Sequence, residues 1–208
     1  MDLQFHGANC ITITSKQAQI TIDDNLSELG GKSVIKNNDI AIYTHKQVET
    51  NKEVRLLVDG PGEYEIADVS IVGIAARAHL DEDNKKTATL YKIAINDIRV
   101  VVTGHIYPEL SEADLEYIGV TDVLFVPVGG NGYTLDAEGA LKIIRKLEPK
   151  IVILTHYQDK DLKYPVPQAT LDSVVKVLGM DAKEATKKLK LKSADLSENM
   201  QLIILEKN

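Results

Sequence analysis

VLFVPVGGNGYTLDAEGALKIIRKLEPKIVILTHY, residues 123–157, is the stretch whose hydrophobic rhythm decides the fold. It opens on VLFVPV (123–128), a short apolar run without polar alternation, the pattern of a strand covered on both faces. A glycine-rich turn follows and leads into DAEGALKIIRKL (136–147), where Ala140, Ile143, Ile144 and Leu147 fall on one helical face. IVILT (151–155) is a second buried-type strand and ends at His156. Strand, helix and strand in this order place the helix on the outside of a sheet.

Working outward, the C-terminal side adds a helix at PQATLDSVVKVL (167–178) and a closing strand at QLIILE (201–206). Between them EATKKLKLK, within residues 183–192, is the densest basic stretch, and it reads as a solvated helix end. On the N-terminal side LSEADLEYIG has Ser111 as N-cap, Asp114 three residues on and Gly119 as stop, a short capped helix. Everything before it reads as strands: QAQITI (17–22), DIAIYT (39–44), VRLLV (54–58), DVSIVGIAA (68–76), ATLYKIAI (88–95) and IRVVVT (98–103). The last two flank Asn96-Asp97, a step suited to a tight hairpin. GPGEY (60–64) is a fixed turn, with Glu63 a candidate to orient a neighbouring ligand. The chain is α/β or α+β with a strand-rich first half, and no linker or repeat divides its 208 residues, so one domain over 1–208 is expected.

Composition limits the chemistry. A single cysteine excludes a disulfide framework and a thiol-only zinc site, and Cys10, inside NCITIT, reads as a small buried hydrophobe. With 31 acidic against 24 basic residues the formal charge is −7, so no nucleic-acid partner is expected. There is no apolar run of membrane-span length and no basic-then-apolar leader pattern, so no membrane association and a cytoplasmic location are expected. Serine hydrolase chemistry has no nucleophile-elbow motif behind it. PVGGNGYT (127–134) runs from strand to helix but lacks the endings of phosphate-binding loops, and reads as a turn lining a cleft wall.

Histidine is what remains. IAIYTHK ends in His45, SIVGIAARAH in His79, VVVTGHI in His105 and IVILTHY in His156, so four of the five histidines follow an apolar strand. Groups just beyond the carboxyl ends of strands line a common edge, where such proteins assemble sites. His6, in or just after the first strand, is the exception and reads as structural. In extended chain His45, Gln47 and Glu49 point to one side. Histidines with a carboxylate suit zinc, manganese or iron. The competing reading is that each histidine ends a strand and bonds a neighbouring loop.

The order of pieces resembles the metallo-β-lactamase fold, and within it a compact branch of zinc-dependent hydrolases similar to the ascorbate-6-phosphate lactonases. The resemblance lies in ITIDD (20–24), IAIYTHKQVET (40–50), VDGPGEYEIADVSIVGIAA (58–76), TDVLFVPVGGNGYTLDAEGA (121–140) and EPKIVILTHY (148–157). It implies an α+β fold, a four-layer αββα sandwich, with metals at the open edge of two facing sheets. The family signature His-x-His-x-Asp-His meets His45-Lys46-Gln47-Val48-Glu49-Thr50, so only its first histidine is kept. His79 and His156 fall at family ligand positions, whereas His105 stands where the family has a metal-bridging aspartate. Tyr107-Pro108 replaces a Gly-His pair, and Gly7-Ala8-Asn9 stands at the family's Gly-His-Ala.

These replacements argue against a binuclear centre, because glutamine is a poor ligand, threonine normally none, and the bridging carboxylate is missing. Two readings result. In the first the chain is a metal-dependent hydrolase-like protein with an altered, mononuclear or weak site acting on an ester, lactone or phosphoester. Its ligands are His45, His79, His105 and His156, holding one zinc, manganese or iron ion, with Glu49 as base and His105 as ligand or acid. In the second it holds no metal and is a non-catalytic scaffold that binds a small molecule or a partner chain at the former active-site edge.

Overall fold

The computed structural model describes residues 1–46 and 52–208; Gln47 and Glu49 therefore lie outside the described residues. Among the described residues the strands form two sheets. One runs β13 (Leu189–Lys190), β1 (Asp2–Gly7), β2 (Cys10–Thr14), β3 (Gln19–Ile22), β4 (Ile40–Ile42), β5 (Leu56–Val58). The other runs β12 (Ala182–Thr186), β14 (Gln201–Leu205), β11 (Ile151–Thr155), β10 (Val123–Pro127), β9 (Ile98–Val102), β8 (Ala88–Ile95), β7 (Val69–Ala76), β6 (Gly62–Ile66). Their facing sides share one core, in which Ile11, Ile13, Ile20 and Ile42 meet Ile71, Tyr91, Ile93 and Phe125.

The outer face of the larger sheet carries helices α1 (Glu112–Ile118), α2 (Ala137–Leu147) and α3 (Leu171–Leu178). Ile143, Ile144, Leu147, Val174 and Leu178 pack there on Leu124, Val126, Val152 and Leu154. Being covered on both sides, β10 and β11 are buried at every position, which explains their unbroken apolar runs. The outer face of the smaller sheet is covered mainly by loop residues, with Leu26 and Leu162 over Cys10 and Ala8, and Ile35 beside Ala41 and Tyr43. The fold is the α+β sandwich of the metallo-β-lactamase type.

Local chemistry fixes the joints. Ser111 and Asp114 form a reciprocal capping box on α1, and the Asp136 side chain accepts from Gly139 N at 2.7 Å to start α2. Asn96 and Asp97 both have positive φ, 50° and 61°, the left-handed pair that a two-residue hairpin between β8 and β9 requires. At the amino ends of β9, β10 and β11 the fully buried Asp122 is clamped by Arg99 Nε at 2.7 Å, Arg99 N at 2.9 Å and Lys150 Nζ at 3.4 Å.

Two expectations need correction. EATKKLKLK contributes no helix end: β12 pairs in parallel with β14, and β13 crosses to pair antiparallel with β1. KLKLK alternates with period two, a strand signal, and lysines on exposed edge strands discourage pairing with other chains. GPGEY is a turn only at Gly60-Pro61; from Gly62 it is β6, and Glu63 accepts from the Tyr117 hydroxyl at 2.7 Å instead of facing the histidine edge.

Candidate active-site cleft

The strands β4, β7, β9 and β11 deliver His45, His79, His105 and His156 to the same edge, and all four histidines line one cavity of about 450 Å³. The two sheets are joined there. His45 bridges to Ala88 and Thr89 N donates to Thr44 O at 2.8 Å, while within the larger sheet's edge His79 N donates to His105 O at 2.7 Å. Gly104, φ +60°, lies against Thr44 so closely that a β-carbon would overlap the Thr44 hydroxyl. Only glycine lets β9 turn into the cleft at this point.

His105 and His156 form the floor. Their rings meet edge to face with centroids 4.6 Å apart, and the Tyr133 ring lies 5.0 Å from His105. His156 Nδ1 lies 2.9 Å from Gln168 Oε1, while Gln168 Nε2 donates to Val166 O at 2.8 Å. That second bond turns the amide oxygen toward the ring, so Nδ1 carries the proton and Nε2 is left as the electron-pair donor. Gly129 makes the contact available, since a β-carbon there would overlap Gln168 Oε1.

Burial pushes the His156 pKa below its ordinary value, opposed by the Gln168 hydrogen bond. His105 is pushed further down, by burial first and then by the positive charge His156 and His45 would carry, against a hydrogen bond to the Tyr133 backbone. Both imidazoles are neutral near pH 7.

The other two histidines are looser. Among the described residues the buried His79 Nδ1 has no hydrogen-bond partner, and neither has Asn25 Oδ1, another buried atom of a cavity-lining residue. His45 is half exposed, with Nδ1 4.0 Å from Asp23 Oδ1. Asp23, buried and with its carboxyl raised by burial, accepts from Thr44 N and Thr44 Oγ1, each at 2.7 Å. His6 stays apart, its Nε2 3.0 Å from Thr12 Oγ1.

Among the described residues no three or more His, Cys, Asp or Glu side chains converge as a metal-ligand set. The donor set of the described residues does not supply the ligands of a binuclear centre. The close pair His105 and His156, each with one ring nitrogen engaged by the protein, has the donor chemistry of two ligands to a single ion, and Glu49 lies outside the described residues. Reasoning from sequence alone missed Asp23 beside His45, Gln168 behind His156 and Tyr133 against His105. ITIDD carried a signal for the first, whereas Gln168 sits in a loop with no local pattern to mark it.

A sequence model of the β-lactamase superfamily domain matches residues 2–156. The chain belongs to that superfamily. Solved structures agree in fold. A Thermotoga maritima protein described as a zinc-dependent hydrolase of the metallo-β-lactamase superfamily superposes with a TM-score of 0.77 at 23% identity, covering 99% of each chain. A metallo hydrolase from Ignicoccus hospitalis gives 0.61 at 17% identity over 99% of this superfamily member and 94% of its own length. The diiron β-hydroxylase CmlA from Streptomyces venezuelae gives 0.63 at 14% identity, with 92% and 54% covered. At these identities the likeness concerns the fold.

Proposed function

We propose that this β-lactamase superfamily member is a hydrolase-like protein acting on an ester, lactone or phosphoester in the histidine cleft, with at most one weakly held metal ion. The observation that carries the reading is the His105–His156 pair: two neutral imidazoles, one half-buried and one buried, in contact beyond the carboxyl ends of β9 and β11, the two parallel strands that flank β10. A single zinc, manganese or iron ion would be held by His105 and His156 with a further donor from His45, His79 or Glu49. Once bound it would polarise the carbonyl or phosphoryl oxygen as a Lewis acid.

The chain's own residues supply the proton movements. Where no metal ion takes its free ring nitrogen, His105, neutral near pH 7, accepts a proton from water as the water oxygen bonds to the carbonyl carbon, and returns it to the departing alkoxide when the carbon–oxygen bond breaks. Gln168 holds the His156 ring and its tautomer, and Tyr133 packs against both imidazoles and limits water. Relatives described as zinc-dependent and as diiron proteins support metal chemistry on this scaffold without fixing the element.

The second reading, a non-catalytic scaffold, is favoured by one specific observation, the lack of a three-ligand set among the described residues. Metal loading separates the two. The hydrolase reading expects about one equivalent of zinc, manganese or iron by elemental analysis, a melting temperature raised by that metal, and lactone or phosphodiester hydrolysis abolished by His45→Ala and His156→Ala. No retained metal, an indifferent melting temperature and no hydrolysis would leave the scaffold reading.

A further inference from the structure

Among the described residues lining the cavity there is no lysine and no arginine, although Asp23, Glu28 and Asp81 are all present. Arg77, next to the cavity-lining Ala78, is already engaged: its guanidinium donates to Asp81 O at 3.0 Å, pairs with Asp83 at 2.8 Å and lies 3.9 Å from the centre of the Tyr107 ring. The Asp81 side chain faces the same region, accepting from Ala78 N at 2.8 Å, Thr87 N at 2.9 Å and Thr87 Oγ1 at 2.7 Å. At the rim Leu80 is 70% exposed, an apolar surface beside the carboxylates, and Tyr133 presents a ring at the floor.

An anion entering the metal-free cavity loses water and meets Asp23, Glu28 and Asp81 with no lysine or arginine among the described lining residues to offset them. A cation meets carboxylates and an aromatic face, and a low-dielectric wall strengthens both effects. We infer that the cleft takes small molecules without negative charge, ammonium-bearing ones best, and rejects phosphate and carboxylate ligands. Resting on the hydrolase reading in its metal-free form, with His105 moving the proton, this narrows the substrate class to uncharged or ammonium-bearing esters and lactones, and sets phosphoesters aside.

Binding and turnover test it separately. The chain, stripped of metal with a chelator, is titrated with tetramethylammonium chloride and with inorganic phosphate at matched ionic strength, following the histidine ring protons by NMR. Tetramethylammonium is expected to shift the His105 and His156 signals, with at least about tenfold tighter binding than phosphate and weaker binding in high salt. Glu28→Lys, at an exposed position, is expected to reduce that preference by about tenfold without unfolding the protein. Phosphate binding as tightly as tetramethylammonium, no tetramethylammonium binding, or a preference unchanged in Glu28→Lys would overturn the inference.

In parallel, p-nitrophenyl esters of butyrate, 4-(trimethylammonio)butyrate and succinate share one leaving group and differ in charge. The trimethylammonio ester is expected to show the lowest KM and the succinate ester the highest. Turnover that favours succinate overturns the charge inference and leaves the hydrolase reading standing. Tetramethylammonium binding without turnover of any ester supports the charge inference and overturns the hydrolase reading.

Discussion

The two ends of β9, β10 and β11 carry opposite chemistry. At the amino ends Asp122 is wholly buried and its carboxylate oxygens receive the Arg99 guanidinium, the Arg99 backbone N–H and the Lys150 ammonium. At the carboxyl ends His79 Nδ1 and Asn25 Oδ1 are buried without partners among the described residues, two neutral histidines are in contact, and backbone follows left-handed paths at Gly104 and His156. Among the described residues the amino edge has one comparable orphan, Thr121 Oγ1. The same parallel strands thus present one edge built for stability and one where polar groups are kept uncommitted, as a working site requires.

The largest expected effect lies on the closed edge. Asp122→Ala removes the acceptor for Arg99 and Lys150 and is expected to destabilise the fold by about 3 kcal/mol, the range for breaking a buried pair whose cation still reaches water. For a chain of this size that is a fall in melting temperature of roughly 6 to 12 °C, read by calorimetry. Ligand binding per folded molecule should be unchanged. A loss of binding larger than the loss of folded protein would break the division between the edges.

On the open edge Gln168→Leu removes the hydrogen bond that fixes the His156 ring. The expected cost is about 1 kcal/mol, the value of one buried side-chain bond, read as a shifted urea midpoint. Since that bond holds the His156 pKa up, its loss should lower the pKa further, visible in the NMR titration of the ring. A His156 pKa that rises instead would place the proton on the other ring nitrogen.

Acid separates the edges by a smaller effect. The depressed pKa values of His105 and His156 mean the unfolded chain binds more protons below the ordinary value of 6.5, so stability should start to fall as pH drops through 6.5. For Asp122 burial acts upward, but the Arg99 and Lys150 bonds outweigh it and hold its carboxyl below the ordinary 3.8. Its stabilisation is present above that value and is lost only as pH falls through the lower, folded value. Urea midpoints measured against pH should therefore decline in two windows, and His105→Gln should flatten the upper one alone. A single decline confined to below pH 4 would contradict the neutral-histidine account.

Much of the fold could be read from short-range pattern. The unbroken apolar runs at 123–127 and 151–155, the caps at Ser111 and Gly119 and the Asn96-Asp97 turn act within a few residues, and they appear where the pattern put them. KLKLK misled because lysine suits helix surfaces and edge strands alike, and only pairing with β14 and β1 decides between them. The shared address of the four histidines was legible, because ending a strand is a local property. Their distances were not: that His105 touches His156 while His45 stands beside Asp23 depends on how two sheets meet. Gln168 reaches His156 across a loop and past Gly129, a contact no spacing in the sequence announces.

The most direct test of a working carboxyl edge is hydrolysis of p-nitrophenyl butyrate by the unaltered chain, His105→Gln and Asp122→Asn, with rates expressed per folded molecule. Loss of a general base costs about 10²-fold or more, so His105→Gln should lose turnover by that factor while Asp122→Asn keeps it. Equal turnover in the unaltered chain and His105→Gln, or none in the unaltered chain, would contradict the account.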